Sequence, residues 1–499
     1  MDWLLGSGGS ILVLVLYFTA TMLIGLVAWR YFPQSDPEGY ILGGRGMGWF
    51  VAAFTLMATQ YSALTFLGFP GTMYRTGLGG YVAIMGMYVG VSALYWMLFA
   101  ARTWKLGRAF GHMTPAETFA HFYGQKWVGY VLAAMLIATL IPYIQAQIMG
   151  ISYLLQVATG DLLSFQLGTT LVYSLMIFYV FMGGLRAVAW TDTMQGLLLL
   201  GGVGVGALLV SYAAAGGPVA TFTKLLESQP ELLTLPGPGN AWPWAYLLSW
   251  VIPVGLGWPM QPQMWLKMHI PRSVTYIRLW PLWVTISFPV VMGAAFLTGM
   301  TGQVIHPGLT EREATDTVMI TLLLEYFPAI VGGLVAAAGL AAMMSTVSSQ
   351  IHSVGASVAR DFLAQLFPDQ EPRQQVWLAR LAVIVVGFVG LYLSLTQPAL
   401  LTTLGVFSAA WAAQAVPAAV GALAGWRWPT SWGAVAGPAG GTLVLFWIGL
   451  GFPQQQWLGL YAGLWALLVN IILFVAVSLL TPGSRPAGDR VDAYRRVGW

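Results

Sequence analysis

Charged residues and cysteine are the residue types that this sequence has least of. Of its 499 residues only 8% are Asp, Glu, Lys or Arg, none is Cys, and 58% are hydrophobic. A soluble globular protein carries about 25% charged residues, because its surface must face water. The composition therefore excludes a soluble protein, and the absence of cysteine excludes a disulfide-stapled scaffold.

The motifs of several enzyme classes are also missing. The sequence has no GxxxxGK[ST] loop for nucleotide phosphates, no HExxH metal pair and no GxSxG turn around a nucleophilic serine. Its five histidines show no metal-ligand spacing. We therefore predict that the protein is not an enzyme. A membrane protein that moves a solute, or a sensor built on one, remains.

Long apolar stretches are what the sequence has instead. Thirteen of them approach the length of about 20 residues that crosses a bilayer as a helix, so we predict an all-α integral membrane protein with 13 transmembrane helices. With the N-terminus outside, 18 of the 21 lysines and arginines fall in inward loops or the tail, and Lys267 is one of these 18. The positive-inside rule favours this orientation in the cell membrane, with a cytoplasmic C-terminus. The basic balance is thus a topology signal and does not indicate nucleic-acid binding.

Two spans contain residues that break helices. Trp49–Tyr74 holds a polar run and then Pro70, and Trp250–Lys267 holds Pro253, Pro259 and Pro262. Proline removes a backbone donor and clashes with the preceding turn, so neither stretch forms one regular helix. Simple kinks would satisfy this pattern. However, each broken span opens a block of five spans, as in transporters built from inverted repeats with a midplane site.

This symmetry divides the chain into six parts. We predict an extra N-terminal helix and inner loop at 1–45, a first five-helix repeat at 46–216, an outer loop at 217–241, a second, inverted repeat at 242–428, two C-terminal helices at 429–481 and a cytoplasmic tail at 482–499.

Acidic residues are rare within the spans. Asp192 lies inside or at the edge of one span, where a carboxylate costs a few kcal/mol unless it is paired or coordinated. A membrane-edge Asp192 that reaches water or pairs with Arg186 is the alternative. In another span Ser345, Ser348 and Ser349 share one helix face. Helix packing explains such small residues, but their hydroxyls also suit a hard cation such as sodium.

Four motifs in chain order resemble the sodium:solute symporter family. They are GGR at Gly43–Arg45, AWTDTMQG at Ala189–Gly196, GLGWPMQP at Gly255–Pro262 and AAMMSTVSSQ at Ala341–Gln350. The resemblance implies a LeuT-type core of two inverted five-helix repeats. It also implies a secondary active, sodium-coupled symporter that imports a small organic solute by alternating access, with one chain as the functional unit.

The same resemblance implies three sets of site residues. The first sodium would be bound by the backbone carbonyls of Ala58, Tyr61 and Ala342 and the hydroxyls of Ser345 and Thr346. A second sodium, found in some members, would be bound by Asp192, Ser345, Ser348 and Ser349. The substrate would lie near Gln60, Ser62, Phe66, Trp258 and Gln261.

One segment of the sequence bears on the substrate class. The segment Thr65–Gly79 reads closest to pantothenate and monocarboxylate permeases, which favours a small organic anion held by the N-terminus of a half-helix. An amino acid such as proline, or a sugar, is the alternative, although Gln60 departs from the residue at this position in both groups. A proton carried by Asp192 near His352, a passive channel and a transporter-derived sensor also stay open.

Overall fold

The computed structural model describes residues 7–31, 36–310, 315–396 and 401–498. Within these residues the regular elements are helices, apart from one antiparallel hairpin of two-residue strands, Gln456–Trp457 with Leu460–Tyr461, and one isolated bridge between Met47 and Pro271. The predicted all-α class is therefore confirmed.

The helices fall into three groups by length and geometry. The longer α-helices are Ser7–Tyr31, Trp49–Gln60, Ala93–Phe110, Lys126–Ala158, Phe165–Val210, Pro218–Ser228, Trp244–Met260, Trp280–Ile305, Ala329–Ser357, Pro372–Thr396, Leu401–Ala412, Ser431–Gly451, Ala462–Leu480 and Gly488–Gly498. The shorter ones are Pro37–Leu42, Phe69–Thr76, Leu78–Met85, Pro115–Tyr123, Pro262–His269, Val274–Arg278, Val318–Tyr326, Ala364–Leu366 and Val416–Leu423. Wider π-helical turns connect some of them at Leu64–Gly68, Gly86–Ser92, Ser211–Ala215 and Val358–Leu363, and single 3-10 turns occupy Gly43–Arg45, Pro230–Leu233, Pro238–Asn240, Ala413–Ala415, Pro453–Gln455 and Pro482–Ser484.

The number of membrane spans differs between sequence and structure. Ten helices in the described residues are long and apolar enough to cross a bilayer, or eleven with one bent pair. One of them, Phe165–Ala215, has 51 residues. A straight helix of that length would extend about 75 Å, more than twice the hydrocarbon thickness of about 30 Å. Gly184 bends it with φ 53° and ψ −150°, a conformation almost restricted to glycine.

A second source of the difference is the segment Trp244–His269. An extended residue, Gln261, divides it into helices of 17 and 8 residues, and each is shorter than a span. If the helix bent at Gly184 crosses the membrane twice and the segment broken at Gln261 crosses it once, the eleven spans become thirteen. The count of thirteen thus stays a prediction.

The first broken span consists of Trp49–Gln60 and Leu64–Thr76, which meet at an angle of 59°. The helix stops because Tyr61 is extended, with ψ 126°. Side chains satisfy the backbone there: the Ala63 N–H donates to Gln147 Oε1 at 2.7 Å and the Leu64 N–H donates to Ser62 Oγ at 3.2 Å. The predicted break is confirmed, and Tyr61–Ala63 is called the first break below.

The second broken span consists of Trp244–Met260 and Pro262–His269, and Gln261, with φ −62° and ψ 138°, is called the second break. Pro262 opens the following helix, where its missing N–H costs nothing. Upstream of the break, Gly257 lies directly against the helix Leu401–Ala412. A Cβ on Gly257 would overlap the Ala409 carbonyl and approach Ala413 N at 2.9 Å.

The helix Ala329–Ser357, called the serine-rich helix below, lies at the centre of the fold. It packs against Ser7–Tyr31, Trp49–Gln60, Lys126–Ala158 and Phe165–Val210, and every residue from Val335 to Ser357 is buried. The helix that carries the hydroxyl cluster therefore faces protein and not lipid. It lies directly beside the first broken span.

We expect Gly257→Ala to lower the thermal midpoint of the purified protein strongly, because the added methyl group must displace backbone atoms of the Leu401–Ala412 helix. Gly201→Ala is the matched control, since nothing lies within 4 Å of a Cβ at that position. Alanine also favours a helix by about 1 kcal/mol over glycine, so the control should be as stable as the wild type or more so. Equal midpoints for the two variants would contradict this packing.

Candidate functional site

Five oxygen atoms converge between the first break and the serine-rich helix. Ser345 Oγ lies 2.8 Å from the Ala58 carbonyl oxygen and 3.0 Å from that of Ala342. Thr346 Oγ1 lies 3.0 Å from the carbonyl oxygens of both Tyr61 and Ala342. The structure thus brings together all five residues that the sequence assigned to a first sodium, here called the oxygen cluster.

The first break explains why these carbonyls are available. A helix would pair the Ala58 carbonyl with the Ser62 N–H, but that N–H donates to Thr65 Oγ1 at 3.2 Å. It would pair the Tyr61 carbonyl with the Thr65 N–H, but that N–H donates to the Ser62 carbonyl at 2.9 Å. The two carbonyls therefore turn to hydroxyls of the serine-rich helix. Uncharged oxygen ligands of this kind suit a hard cation, and the sodium assignment remains a prediction.

Asp192 is fully buried and forms an ion pair with a lysine of the same chain. Its Oδ2 lies 2.7 Å from Lys267 Nζ and accepts a hydrogen bond of 2.6 Å from Thr55 Oγ1. Asp192 and Lys267 are 0% and 1% exposed. The alternative predicted for Asp192 is not observed: the carboxylate does not reach water and does not pair with Arg186, because Lys267 is its partner. Arg186 Nε instead donates to the Gly43 carbonyl at 3.0 Å.

The predicted second sodium set is only partly assembled around this carboxylate. Ser349 Oγ lies 3.4 Å from Asp192 Oδ2. Ser348 Oγ donates to the Ser345 carbonyl at 3.2 Å, within its own helix. Ser345 faces the oxygen cluster. Asp192 Oδ1 has no hydrogen-bond partner among the described residues.

Lys267 was predicted to lie in an inward loop, whereas the structure buries it in the protein. The residue lies six positions after the second break, on the short helix Pro262–His269, all of whose residues are buried. Its apolar neighbours Trp265, Leu266 and Met268 were a signal that this lysine does not lie in a loop. The ammonium also donates to the Thr55 carbonyl at 2.9 Å and to Thr59 Oγ1.

Thr59 connects the oxygen cluster to the Asp192–Lys267 pair. Its carbonyl lies 3.3 Å from Thr346 Oγ1, on the side of the oxygen cluster. Its hydroxyl accepts from Lys267 and lies 3.1 Å from Ser349 Oγ. One residue thus contacts both groups with two different atoms.

The predicted substrate residues Gln60 and Gln261 have different surroundings. Both amide atoms of the buried Gln60 have no partner among the described residues. The amide of Gln261 is paired at both ends: its Nε2 donates to Ser408 Oγ at 3.2 Å, and its Oε1 accepts from Gln263 Nε2 at 2.7 Å. The Gln60 amide thus has unused hydrogen-bonding atoms, whereas the Gln261 amide is used within the protein, and both stay predicted substrate residues.

The other predicted substrate residues are buried as well. Ser62 Oγ accepts from the Leu64 N–H, and Phe66 packs against the serine-rich helix, where a Cβ on Gly339 would lie 2.7 Å from Phe66 Cε1. The Trp258 ring contacts Tyr88 and Tyr143 at centroid distances of 5.5 and 5.3 Å. Trp258 therefore belongs to an aromatic wall, and Phe66 belongs to the packing between helices.

The N-terminus of the half-helix after the first break offers few free donors, contrary to expectation. Its first N–H groups donate to Gln147, to Ser62 and, from Thr65 and Phe66, to the Ser62 carbonyl. Free donors lie instead on side chains, and one of these, Gln147, was not among the predicted site residues. Among the described residues Gln60 Nε2, Gln147 Nε2 and Trp258 Nε1 are buried without a partner, as is the acceptor Gln263 Oε1.

An aromatic layer around Trp258 extends to a cavity. It consists of Tyr61, Phe69, Tyr88, Tyr143, Trp258 and Phe288. Tyr88 contacts Phe288 at 4.0 Å and Phe69 at 6.5 Å between ring centroids, and Phe288 contacts Tyr61 at 4.8 Å. Phe69 also lines a cavity of about 540 Å³, called the vestibule. Its other walls include Arg75, Trp242 and Gln455.

His352, the residue considered alongside the proton carrier Asp192, has other contacts. Its Nε2 is 3.1 Å from the Ile41 carbonyl oxygen, and its ring packs on Tyr40 at 5.5 Å. The hydrogen bonds of the Asp192 carboxylate come from Lys267, Thr55 and Ser349. Among the described residues, no hydrogen bond joins Asp192 to His352.

Comparison with known proteins gives consistent matches along the chain. The model of the sodium:solute symporter family matches residues 40–441. The osmoregulated proline transporter OpuE of Bacillus subtilis is 28% identical over 494 residues, covering 96% of this chain and 95% of that protein. The sodium/pantothenate symporter of Haemophilus influenzae is 26% identical, covering 80% of this chain and 82% of that protein.

Two solved structures share the fold. A sodium-coupled sialic acid symporter, in a substrate-bound outward-open state, has a TM-score of 0.77 at 18% identity and covers 95% of this chain and 98% of its own. A nucleobase-cation-symport-1 family transporter has a TM-score of 0.62 at 14% identity and covers 93% of this chain and 99% of its own. The predicted LeuT-type fold is confirmed.

We expect alanine substitutions at the two glutamines to affect thermal stability differently. Gln261→Ala leaves Gln263 and Ser408 with lost hydrogen bonds inside the protein, a cost of about 1–3 kcal/mol, and we expect a lower thermal midpoint. Gln60→Ala removes an amide that has no protein partner among the described residues, so we expect a midpoint close to that of the wild type. Both variants delete the same atoms and serve as each other's control. A larger loss for Gln60→Ala would contradict this assignment.

Proposed function

Because the chain belongs to the sodium:solute symporter family and is a sodium-coupled symporter, we propose that it imports a small solute with a carboxylate on an apolar body. Sodium enters at the oxygen cluster, and the solute binds between the two breaks. The single observation that carries the proposal is the convergence of Ser345 and Thr346 on carbonyls that the first break releases. It supplies a cation site next to the orphaned amide of Gln60.

The oxygen cluster suits sodium because it has no formal charge. The two hydroxyls donate to the carbonyls, and a cation would replace these hydrogen bonds with ion–oxygen contacts. Such a neutral site binds weakly enough to release its ion on the other side. Since Ala58 and Tyr61 flank the first break, the ion would also hold the first broken span against the serine-rich helix.

The chemistry of the free buried groups favours a carboxylate. Gln60, Gln147 and Trp258 each offer a free N–H donor, and a carboxylate is an acceptor-only group. The aromatic layer provides an apolar wall for the remainder of the solute. Proline and pantothenate, named for two of the relatives, both carry a carboxylate.

An organic anion is favoured over an amino acid by the state of Asp192. An amino-acid ammonium at this depth would need a buried negative partner. Asp192 already binds the ammonium of Lys267. A monocarboxylate or a pantothenate-like anion is therefore the first candidate, a proline-type amino acid is the second, and a sugar follows.

We further propose a cell-membrane location with the N-terminus outside, repeats at 46–216 and 242–428, and one chain as the functional unit. The orientation is supported by the vestibule, which opens on the side of Arg75 and Trp242. On the opposite side, a surface cleft is lined by Lys126, Arg360 and Arg490. One chain suffices because it supplies every proposed ligand.

Uptake into proteoliposomes tests the substrate class. We expect an inward sodium gradient, and not a potassium gradient, to drive uptake of propionate or pantothenate. Proline should be taken up less well, and galactose not at all. Empty liposomes and sodium without a gradient are the controls. Uptake that needs no sodium would contradict the symport mechanism, while sodium-driven uptake of galactose alone would contradict only the carboxylate.

Thr346→Ala tests the oxygen cluster. The change removes one cation ligand and little volume, so we expect the protein to fold and its half-saturating sodium concentration to rise about tenfold, equivalent to about 1.4 kcal/mol. Thr301→Ala is the matched control, because this buried threonine donates only to the Leu297 carbonyl of its own helix. Unchanged sodium dependence of uptake in Thr346→Ala would exclude this site.

A further inference from the structure

We propose that the ammonium of Lys267 takes the place of a second sodium ion at Asp192, so that one sodium and not two accompanies each solute. This inference rests on the proposed function, because it concerns the number of ions that the same transporter binds. It starts from the pair of fully buried opposite charges on two different broken or bent helices, the short helix Pro262–His269 and the helix Phe165–Val210.

The surroundings of the ammonium resemble a cation site. An ammonium has three N–H donors. Lys267 directs them to Asp192 Oδ2, the Thr55 carbonyl oxygen and Thr59 Oγ1, which are a carboxylate, a carbonyl and a hydroxyl. These are the oxygen types that a sodium ion takes as ligands. The donors of Lys267 are therefore all used, and its charge lies where the second ion was expected.

Charge balance opposes an additional ion while Lys267 is present. The Asp192–Lys267 pair is neutral, and it is the only ion pair with both partners fully buried in the described part of the chain. A sodium ion beside the same carboxylate would bring two positive charges into a site of low dielectric with one negative charge. The unpaired Asp192 Oδ1 and the nearby Ser349 remain as ligands that a sodium ion could use if the ammonium were absent.

The tethered ammonium also contacts the first ion site. Thr59 accepts from Lys267 with its hydroxyl and directs its carbonyl to Thr346. Thr55, one turn earlier, contacts both members of the charged pair. The first broken span therefore carries one wall of each site, so any movement of this span would change the hydrogen bonds of the ammonium. Unlike a second sodium, this cation cannot dissociate from the protein.

Sodium alone, with potassium replacing it to keep the ionic strength constant, is the probe. The rise of the thermal midpoint with the logarithm of sodium concentration is proportional to the number of ions bound by the folded protein. For the wild type we expect the slope of one ion. For Lys267→Met, which keeps the length and removes the charge, we expect about twice that slope, since Asp192 then recruits an ion.

Two variants complete the test. The double variant Asp192→Asn/Lys267→Met removes both charges and should return to the slope of one ion. Lys126→Met is the control for loss of a positive charge, because Lys126 lies at the surface and donates to Gln365. A slope of two ions in the wild type, or a slope of one in Lys267→Met, would overturn the inference.

These outcomes separate the inference from the proposed function. If the wild type shows no sodium dependence, the oxygen cluster and the symport mechanism fail together. If the wild type binds two ions, symport stands and only the role of Lys267 fails. Should Lys267→Met not fold, the wild-type slope decides: one ion supports a tethered cation and two ions exclude it.

Discussion

The backbone of the first broken span cannot continue as a helix at Tyr61, and its freed polar groups must find partners away from water. In a bilayer an unpaired N–H or C=O costs several kcal/mol, so a break survives only where the protein supplies replacements. Gln147 and Ser62 accept the freed N–H groups, and Ser345 and Thr346 donate to the freed carbonyls. The serine-rich helix is therefore needed to stabilise the break, before any role in binding an ion.

This requirement gives the ion site its character. Carbonyls that are satisfied only by rotatable hydroxyls can exchange these hydrogen bonds for a cation at little cost. In the proposed function, a cation bound there would link the first broken span to the serine-rich helix through the same carbonyls and hydroxyls that are hydrogen-bonded to each other. Binding and conformation would then be coupled, because the same atoms perform both tasks. The Gln60 amide, which has no partner among the described residues, precedes the break by one residue and so lies next to these atoms.

Buried charge follows the same logic in a different form. Asp192 would be costly by itself at membrane depth, and Lys267 neutralises it within the protein. The pair joins the short helix after the second break to the helix that follows Gly184, and Thr55 adds the first broken span. Residues near both breaks thus belong to one polar network, because Thr59, which precedes the first break, accepts a hydrogen bond from Lys267, which follows the second. The symmetry of two broken spans becomes a physical connection through these side chains.

Local properties of the sequence predicted several of these features well. Proline and polar residues within apolar stretches indicated both breaks, and the motifs of the resemblance indicated all five members of the oxygen cluster. The exact stop of the first helix lies at Tyr61, nine residues before Pro70, because Gln147 and Ser62 offer partners there. The contrast between Gln60 and Gln261 was equally hidden, since the partners Gln263 and Ser408 become visible only when the helices are packed.

The sequence by itself determined that the chain spans a membrane, that two of its spans break and that Ser345, Ser348 and Ser349 share one helix face. These depend on composition and helix periodicity, which are local. Only the tertiary structure decided which cation lies beside Asp192. Lys267 is 75 residues away in sequence, and although its apolar neighbours indicated burial, nothing local in the sequence pairs it with this carboxylate. The fold of Pro262–His269 into the core brings the ammonium to the carboxylate, because each buried charge is stable only with the other.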